Sequence, residues 1–143
     1  MSAKIVHLVR HGKASNDYAS QIQDDDRTLT EKGIINSIES AEKYVSQYPT
    51  PELIISSYAV RALHTAHIFA RVTGYPHEKV QVNSELYTHG EKEIYKILSN
   101  LPEDIERVMI VGHNPDLTLA TNRLATHVND IRTSEVVTFL YQC

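Results

Sequence analysis

Leu8-Val9-Arg10-His11-Gly12-Lys13 decides how this chain of 143 residues is read. Ile5, Val6, Leu8 and Val9 form an apolar run. Such a run suits the first strand of a parallel sheet, covered on both faces and ending at a glycine turn over a ligand crevice. Arg10, His11 and Gly12 supply that turn. Arg10 is a permanently charged, planar donor fork suited to phosphate oxygens. His11 can act as nucleophile or base near neutral pH. Gly12 lets the backbone approach a bound anion closely.

Working outward, residues 4–9 read as strand one and residues 13–27 as a long loop carrying Asp17, Asp24, Asp25, Asp26 and Arg27. Loops of that length are usually functional or mobile. Residues 30–48 read as a helix, with Ile34, Ile38, Ala41, Val45 and Tyr48 as its core stripe. Thr28 or Thr30 can cap it, Thr28 with Glu31 fits a capping box, and Pro49 and Pro51 end it. Then come a strand at 53–56, a helix at 59–73 closed by Gly74, a weaker strand at 79–82 and a helix at 91–100. The core face of this last helix is Ile94, Ile97, Leu98 and Leu101. A strongly apolar strand at 108–111 runs into Gly112, Asn114 caps a helix that begins at Pro115, and the last strand covers 136–141. The alternation predicts one α/β domain over residues 1–143, a three-layer α/β/α sandwich with a mostly parallel sheet.

The 41% hydrophobic and 22% charged content is that of an ordinary globular protein with length enough for a core. A formal charge of -4 and a pI near 6.0 give no global attraction for nucleic acid. The single cysteine, Cys143, cannot form an internal disulfide. No apolar run reaches the ~20 residues of a membrane helix, and Lys4, His7 and Arg10 interrupt any signal-like stretch. A cytoplasmic protein without membrane or nucleic-acid partners is expected.

Three stretches fall at or just beyond strand ends: Arg10-His11-Gly12, Ser56-Ser57 through Arg61, and Gly112-His113-Asn114-Pro115. Strand ends in an open α/β sheet share one crevice, so Arg10, His11, Arg61 and His113 are expected to meet there. Two arginines and two histidines make an oxyanion site that needs no metal or other cofactor. In that reading Arg10 and Arg61 hold phosphate oxygens and His11 attacks phosphorus. His113 stabilises the transferring group, and water then hydrolyses the phosphohistidine. Asp17 is a candidate substrate contact. His64 and His67, three apart on a helix, could place two metal ligands on one face, but no third ligand stands at a persuasive spacing. His7, the Asp24-Asp25-Asp26 run and the Tyr44, Val45 and Tyr48 cluster read as packed strand, solvated loop and helix packing.

The Arg10-His11-Gly12 opening resembles the histidine phosphatase, or phosphoglycerate mutase-like, superfamily. Ser56 through Ala66 is similar to its Ser-Ser-x-x-x-Arg-Ala-x-x-Thr-Ala pattern, and Val111-Gly112-His113-Asn114-Pro115 to its second-histidine motif. Arg27 through Gly33 resembles its Arg-x-Leu-Thr-x-x-Gly stretch. The resemblance implies His11 as nucleophile, Arg10, Arg61 and His113 in a phosphate pocket, and no required metal. The Arg10-His11-Gly12-Lys13-Ala14-Ser15-Asn16-Asp17 opening looks like that of the short SixA-like phosphohistidine phosphatases.

Larger members place a glutamate general acid after the third strand, where this chain aligns Thr88; Glu85, His89 and Glu91 are the neighbouring substitutes. SixA-like proteins tend to lack that acid, and the labile P–N bond of phosphohistidine needs it less. No lid-sized insertion fits between Leu86 and Val108. A phosphorylated protein is therefore the expected substrate. A small phosphomonoester and a non-catalytic phosphate-binding module stay open as alternatives, as do the oligomeric state and whether Cys143 is the natural end.

Overall fold

The computed structural model describes residues 3–16, 22–125 and 127–142. Asp17 and Cys143 lie outside them. Among the described residues the sheet has five strands in the order β3-β2-β4-β1-β5. These are β1 (Ala3–Arg10), β2 (Leu53–Ser57), β3 (Gln81–Asn83), β4 (Arg107–Gly112) and β5 (Val136–Gln142). The four strands β1 to β4 run parallel and β5 pairs antiparallel with β1. This is the expected three-layer architecture.

Alternation along the two central strands explains both helical layers. Val6, Leu8, Val108 and Ile110 face one side. There they meet Leu86 of α3 (Glu85–Thr88), Ile94 and Leu98 of α4 (Gly90–Ser99), and Leu117 and Ala120 of α5 (Asp116–Leu124). Val9, Met109 and Val111 face the other side, against Ala41 and Tyr44 of α1 (Glu31–Gln47) and Ala62, Ala66 and Phe69 of α2 (Val60–Thr73). The connection leaving β1 runs toward β2 through α1, while that leaving β4 runs the opposite way to β5 through α5. Neighbouring strands whose connections diverge open a crevice at their C-terminal ends. Arg10 and Gly112, paired in register, stand at that point.

Helix α1 turns a different face inward than its apolar spacing predicts. Gly33, Ser37, Ala41 and Tyr44 are buried, whereas Ile38 and Val45 are exposed. The reason is a close approach to the turn after β1. A Cβ on Gly33 would stand 2.9 Å from the Lys13 amide nitrogen, and one on Gly12 would stand 2.7 Å from Ser37 Oγ. Small residues are required where these backbones meet. Gly12 thus serves the contact with α1. The helix cap also shifts. Thr30 Oγ1 accepts from the Gly33 N–H at 2.9 Å, while Thr28 pairs through its carbonyl with the Ser15 N–H at 2.8 Å and starts no capping box.

Other boundaries moved little. Gly74 closes α2 at φ 86. A 3-10 turn over His77–Lys79 delays β3 by two residues relative to the expected strand. Pro115 precedes α5, whose first residue is Asp116, and Asn114 Oδ1 accepts from the Thr118 N–H at 3.2 Å. His7 is fully buried, between the rings of Tyr44 and Tyr48 at 4.8 Å each. Arg107 donates to its Nε2 at 3.0 Å, so the ring proton sits on Nδ1, toward Thr138 Oγ1 at 2.8 Å. No helix among the described residues is long and apolar enough to cross a membrane.

At the far end of β1, Lys4 is only 1% exposed. Its ammonium donates to the carbonyls of Pro102, Glu103 and Ile105 at 3.1, 3.1 and 2.6 Å. Three donors meeting three acceptors is what makes a buried ammonium tolerable. Lys4→Met would leave those carbonyls without their donors, and a loss of about 2–4 kcal/mol is expected. Denaturant unfolding checks it, and kcat/KM should not change, because Lys4 lies at the opposite end of the sheet from the site.

Candidate functional site

Arg10, His11, Arg61 and His113 meet at the C-terminal ends of β1, β2 and β4. Arg10 ends β1, and its Nη1 donates to the Ile131 carbonyl at 2.9 Å. His11 follows it, tied by its amide to the Gly112 carbonyl at 3.1 Å. The His11 and His113 rings lie 5.2 Å apart, tilted by 54°. Arg61, in the first turn of α2, is 6% exposed.

The second block of sequence has a mechanical explanation. Arg61 and Thr65 are four apart and share one face of α2. Thr65 Oγ1 donates back to the Arg61 carbonyl at 2.8 Å and accepts the Gly12 N–H at 2.9 Å. One helical turn thus fixes both the guanidinium and the loop that carries His11. The Ser57 hydroxyl lies 2.8 Å from His113 Nε2. The stretch from Arg27 to Gly33 clamps the same loop: the Lys13 carbonyl accepts the Thr30 N–H at 2.9 Å, and Ala14 bridges Leu29.

Protonation states follow from these bonds. A carbonyl can only accept, so the 2.7 Å contact to the Gly12 carbonyl places a proton on His11 Nδ1 and leaves Nε2 with a free lone pair. Burial pushes the His11 pKa down to about 4, with Arg61, Arg10 and Arg27 adding to the fall and the Gly12 carbonyl opposing it. Burial also lowers His113 to about 3, helped by His11 and Arg61. Both rings are neutral at pH 7.

Among the described residues, three buried side-chain nitrogens lack a hydrogen-bond partner: Arg10 Nε, Arg61 Nε and His113 Nδ1. All belong to this cluster. Buried polar atoms are nearly always satisfied, so orphans gathered at one place call for an external acceptor. The cationic, donor-rich composition fits an oxyanion. Among the described residues no group of three His, Cys, Asp or Glu side chains could hold a metal ion. His67 faces the His77 ring at 6.1 Å, and His64 is exposed.

The acid candidates are paired with neighbours outside the four-residue cluster. Glu85 bonds Thr88 at 3.2 Å and neighbours His89 at 3.7 Å, on an exposed edge. Glu91 accepts from the Tyr95 hydroxyl and pairs with Arg123 at 3.6 Å. The residue of that segment that does face the site is Tyr87, whose ring stands edge-on to His113 at 5.4 Å. The acidic run also departs from a solvated loop. Asp24 binds Arg61, Arg27 and Tyr87 together. Neither was legible beforehand, because the spacing of Asp24 to Arg61 and Tyr87 in the chain encodes no motif. A groove of about 780 Å³ between α1 and β5 holds none of the four site residues.

No curated protein matches the chain. Solved structures do. One, named as a candidate phosphohistidine phosphatase SixA from Agrobacterium tumefaciens, shares 25% identity over 96% of this chain and 92% of its own, with a TM-score of 0.81. The protein histidine phosphatase SixA complexed with tungstate is 20% identical over 96% of both chains, with a TM-score of 0.78. The mycobacterial glucosyl-3-phosphoglycerate phosphatase, in complex with VO3, is 18% identical over 94% of this chain and 90% of its own, with a TM-score of 0.70. The last two likenesses establish the fold. Residues 6–88 match the model of the histidine phosphatase superfamily (branch 1). That stretch covers more than half of the chain and contains Arg10, His11, Arg27 and Arg61, so the protein belongs to branch 1 of the histidine phosphatase superfamily and is an enzyme of that superfamily.

Proposed function

We propose that this enzyme hydrolyses phosphohistidine on a protein substrate through a covalent phosphohistidine on His11. The observation that carries the mechanism is the His11 Nδ1–H bond to the Gly12 carbonyl, which aims a neutral, unprotonated Nε2 into a cluster of cationic donors. Arg10, Arg61 and His113 Nδ1 take the phosphoryl oxygens. A Ser57 hydroxyl that donates to His113 Nε2 puts the remaining ring proton on Nδ1, where it faces the transferring group.

In the first step the His11 Nε2 lone pair forms a bond to phosphorus. The substrate P–N bond breaks, and its electron pair stays on the leaving imidazole. That ring, protonated on its other nitrogen, departs neutral, so no enzyme acid is needed. In the second step water attacks phosphorus, the P–Nε2 bond breaks, and the water proton leaves with phosphate or solvent. Glu85, His89 and Glu91 are paired with Thr88, Tyr95, Arg123 and one another, which supports a leaving group of this kind. An alkyl phosphate would want a positioned acid. Likeness in fold to a metabolite phosphatase keeps a small phosphomonoester as the second reading.

The test is phosphate release, with chelator present, from a phosphohistidine protein, an aryl phosphate and an alkyl phosphate side by side. Preference for the phosphohistidine protein is expected. Higher efficiency on the alkyl phosphate would sink the substrate assignment.

The pH profile provides a separate check. Protonated His11 cannot attack, and its pKa lies near 4, so activity is present above that value and lost as pH falls through it. The free-enzyme limb, read in kcat/KM after the titration of the substrate is removed, is expected near pH 4 instead of 6.5. A bound dianion raises the His11 pKa, so the kcat limb should lie higher. A kcat/KM limb near 6.5 would contradict a half-buried, arginine-flanked nucleophile.

A further inference from the structure

Asp24 lies in a 3-10 turn, Asp24–Asp26, remote in sequence from every strand end. Its backbone carbonyl accepts from Arg61 Nη1 at 2.6 Å, and its Oδ2 accepts from Arg61 Nη2 at 3.0 Å. One residue therefore engages both terminal nitrogens of the Arg61 guanidinium. The same Oδ2 accepts from the Tyr87 hydroxyl at 2.5 Å, while Oδ1 accepts from Arg27 Nη1 at 3.0 Å. Arg27 is itself anchored, its Nε donating to the Ser15 carbonyl at 2.8 Å. The turn is pinned a second time by a hydrogen bond from Tyr58 to Asp25, and the Tyr58 and Tyr87 rings pack edge-on at 5.5 Å.

We propose that Asp24, steadied by Tyr87 and Arg27, is a positioning residue that holds the Arg61 guanidinium by its terminal nitrogens and keeps its Nε–H edge for the phosphoryl group. This rests on the reading of Arg61 as a phosphate ligand. The support is geometric. A guanidinium has two forked edges, one between the terminal nitrogens and one between Nε and a terminal nitrogen. Asp24 occupies the first. The second includes Nε, which is buried and without a partner. A long side chain at the first turn of a helix would otherwise lose rotamer freedom each time substrate bound. The hydrogen bond from Tyr87, followed by those from Arg27 and Arg61, holds the Asp24 carboxyl well below the usual carboxylate range, so the clasp is charged at every working pH.

The opposite arrangement would be competition, with Asp24 as an internal anion that substrate must displace from Arg61. The two differ in sign. A positioning Asp24 predicts that Asp24→Ala weakens tungstate binding and lowers kcat/KM, each about tenfold, with kcat falling as well as KM rising. Asp24→Glu, which keeps the charge, should restore part of both. In an Arg61→Ala background the Asp24→Ala change should do nothing further, because the two act through one group. A purely structural Asp24 would add its loss in either background. Tighter tungstate binding in Asp24→Ala, an unchanged affinity, or full additivity with Arg61→Ala would each overturn the proposal. Thermal unfolding of each variant excludes a loss of fold. Because tungstate affinity is read without turnover, the failure of the phosphohistidine assignment would not be mistaken for the failure of this one.

Discussion

Replacing His11 with alanine is expected to lower kcat by about 10,000-fold or more, the scale on which losing a covalent nucleophile acts. The expectation follows from how few groups at this site can attack. Of the two rings, only His11 has a nitrogen freed by a hydrogen bond that fixes the proton on the other, through the Gly12 carbonyl at 2.7 Å. His113 has Nε2 against Ser57 Oγ and Nδ1 buried, and the remaining partners are arginines. His11 is only partly buried, and its Nδ1 bond is local to the loop, so the alanine variant should fold. Arg10, Arg61 and His113 remain to bind the oxyanion, so tungstate affinity should change far less than kcat. The acid-labile phosphoenzyme trapped by rapid quench from the wild type should be missing from the variant. Turnover within tenfold of wild type would transfer the nucleophilic role to another group.

The four residues and their convergence were legible because parallel α/β topology makes a simple demand. Strands covered on both faces must be apolar throughout, so polar residues placed just after such runs fall at sheet ends. Val108-Met109-Ile110-Val111 before Gly112-His113 shows this as clearly as β1 does. Helix α1 was harder. Its apolar spacing pointed to Ile38 and Val45, yet both are exposed. What decides its face is steric, the need to bring Gly33 and Ser37 against Lys13 and Gly12, and hydrophobic periodicity carries no information about close backbone approach.

The supports of the site were hardest to foresee. The Ile131 carbonyl receives both Arg10 Nη1 and Asn114 Nδ2, and the Ser134 amide donates to the Arg10 carbonyl. These contributions come from backbone atoms of an irregular segment, where nearly any side chain serves. Ser134 reaches them at φ 65, in the left-handed region that most residues avoid. Its hydroxyl lies 2.9 Å from that of Ser37, and Ser40 Oγ donates to its carbonyl. With Ser37 and Ser40 holding Ser134 and its amide bound to the Arg10 carbonyl, an unfavourable backbone angle is understandable as the cost of holding Arg10. Asp24 and Tyr87 were hidden for the related reason that long-range polar pairing leaves no periodic trace.

Arg61→Ala should be the next most damaging change, with kcat/KM reduced by about 1,000-fold, the upper range for removing one preorganised donor from an oxyanion site. Arg61 is 6% exposed and carries a buried Nε without a protein partner, so its charge acts with little solvent screening. The charge that it pairs with is not abandoned in the variant. Asp24 keeps Arg27 at 3.0 Å and the Tyr87 hydroxyl at 2.5 Å, so the loss of fold should be modest and the loss of transition-state stabilisation dominant. Arg61→Lys separates charge from geometry. An ammonium restores the positive charge near phosphorus but cannot bind Asp24 and a phosphoryl oxygen through two forked edges at once, so only about tenfold of the loss should return. Recovery to near wild type would mean that Arg61 acts as a point charge, and the Asp24 clasp would then have nothing to position. A lysine variant as impaired as alanine would instead mean that the fork alone matters. Steady-state kinetics on the three proteins, with tungstate affinity alongside, distinguishes these outcomes in a single series.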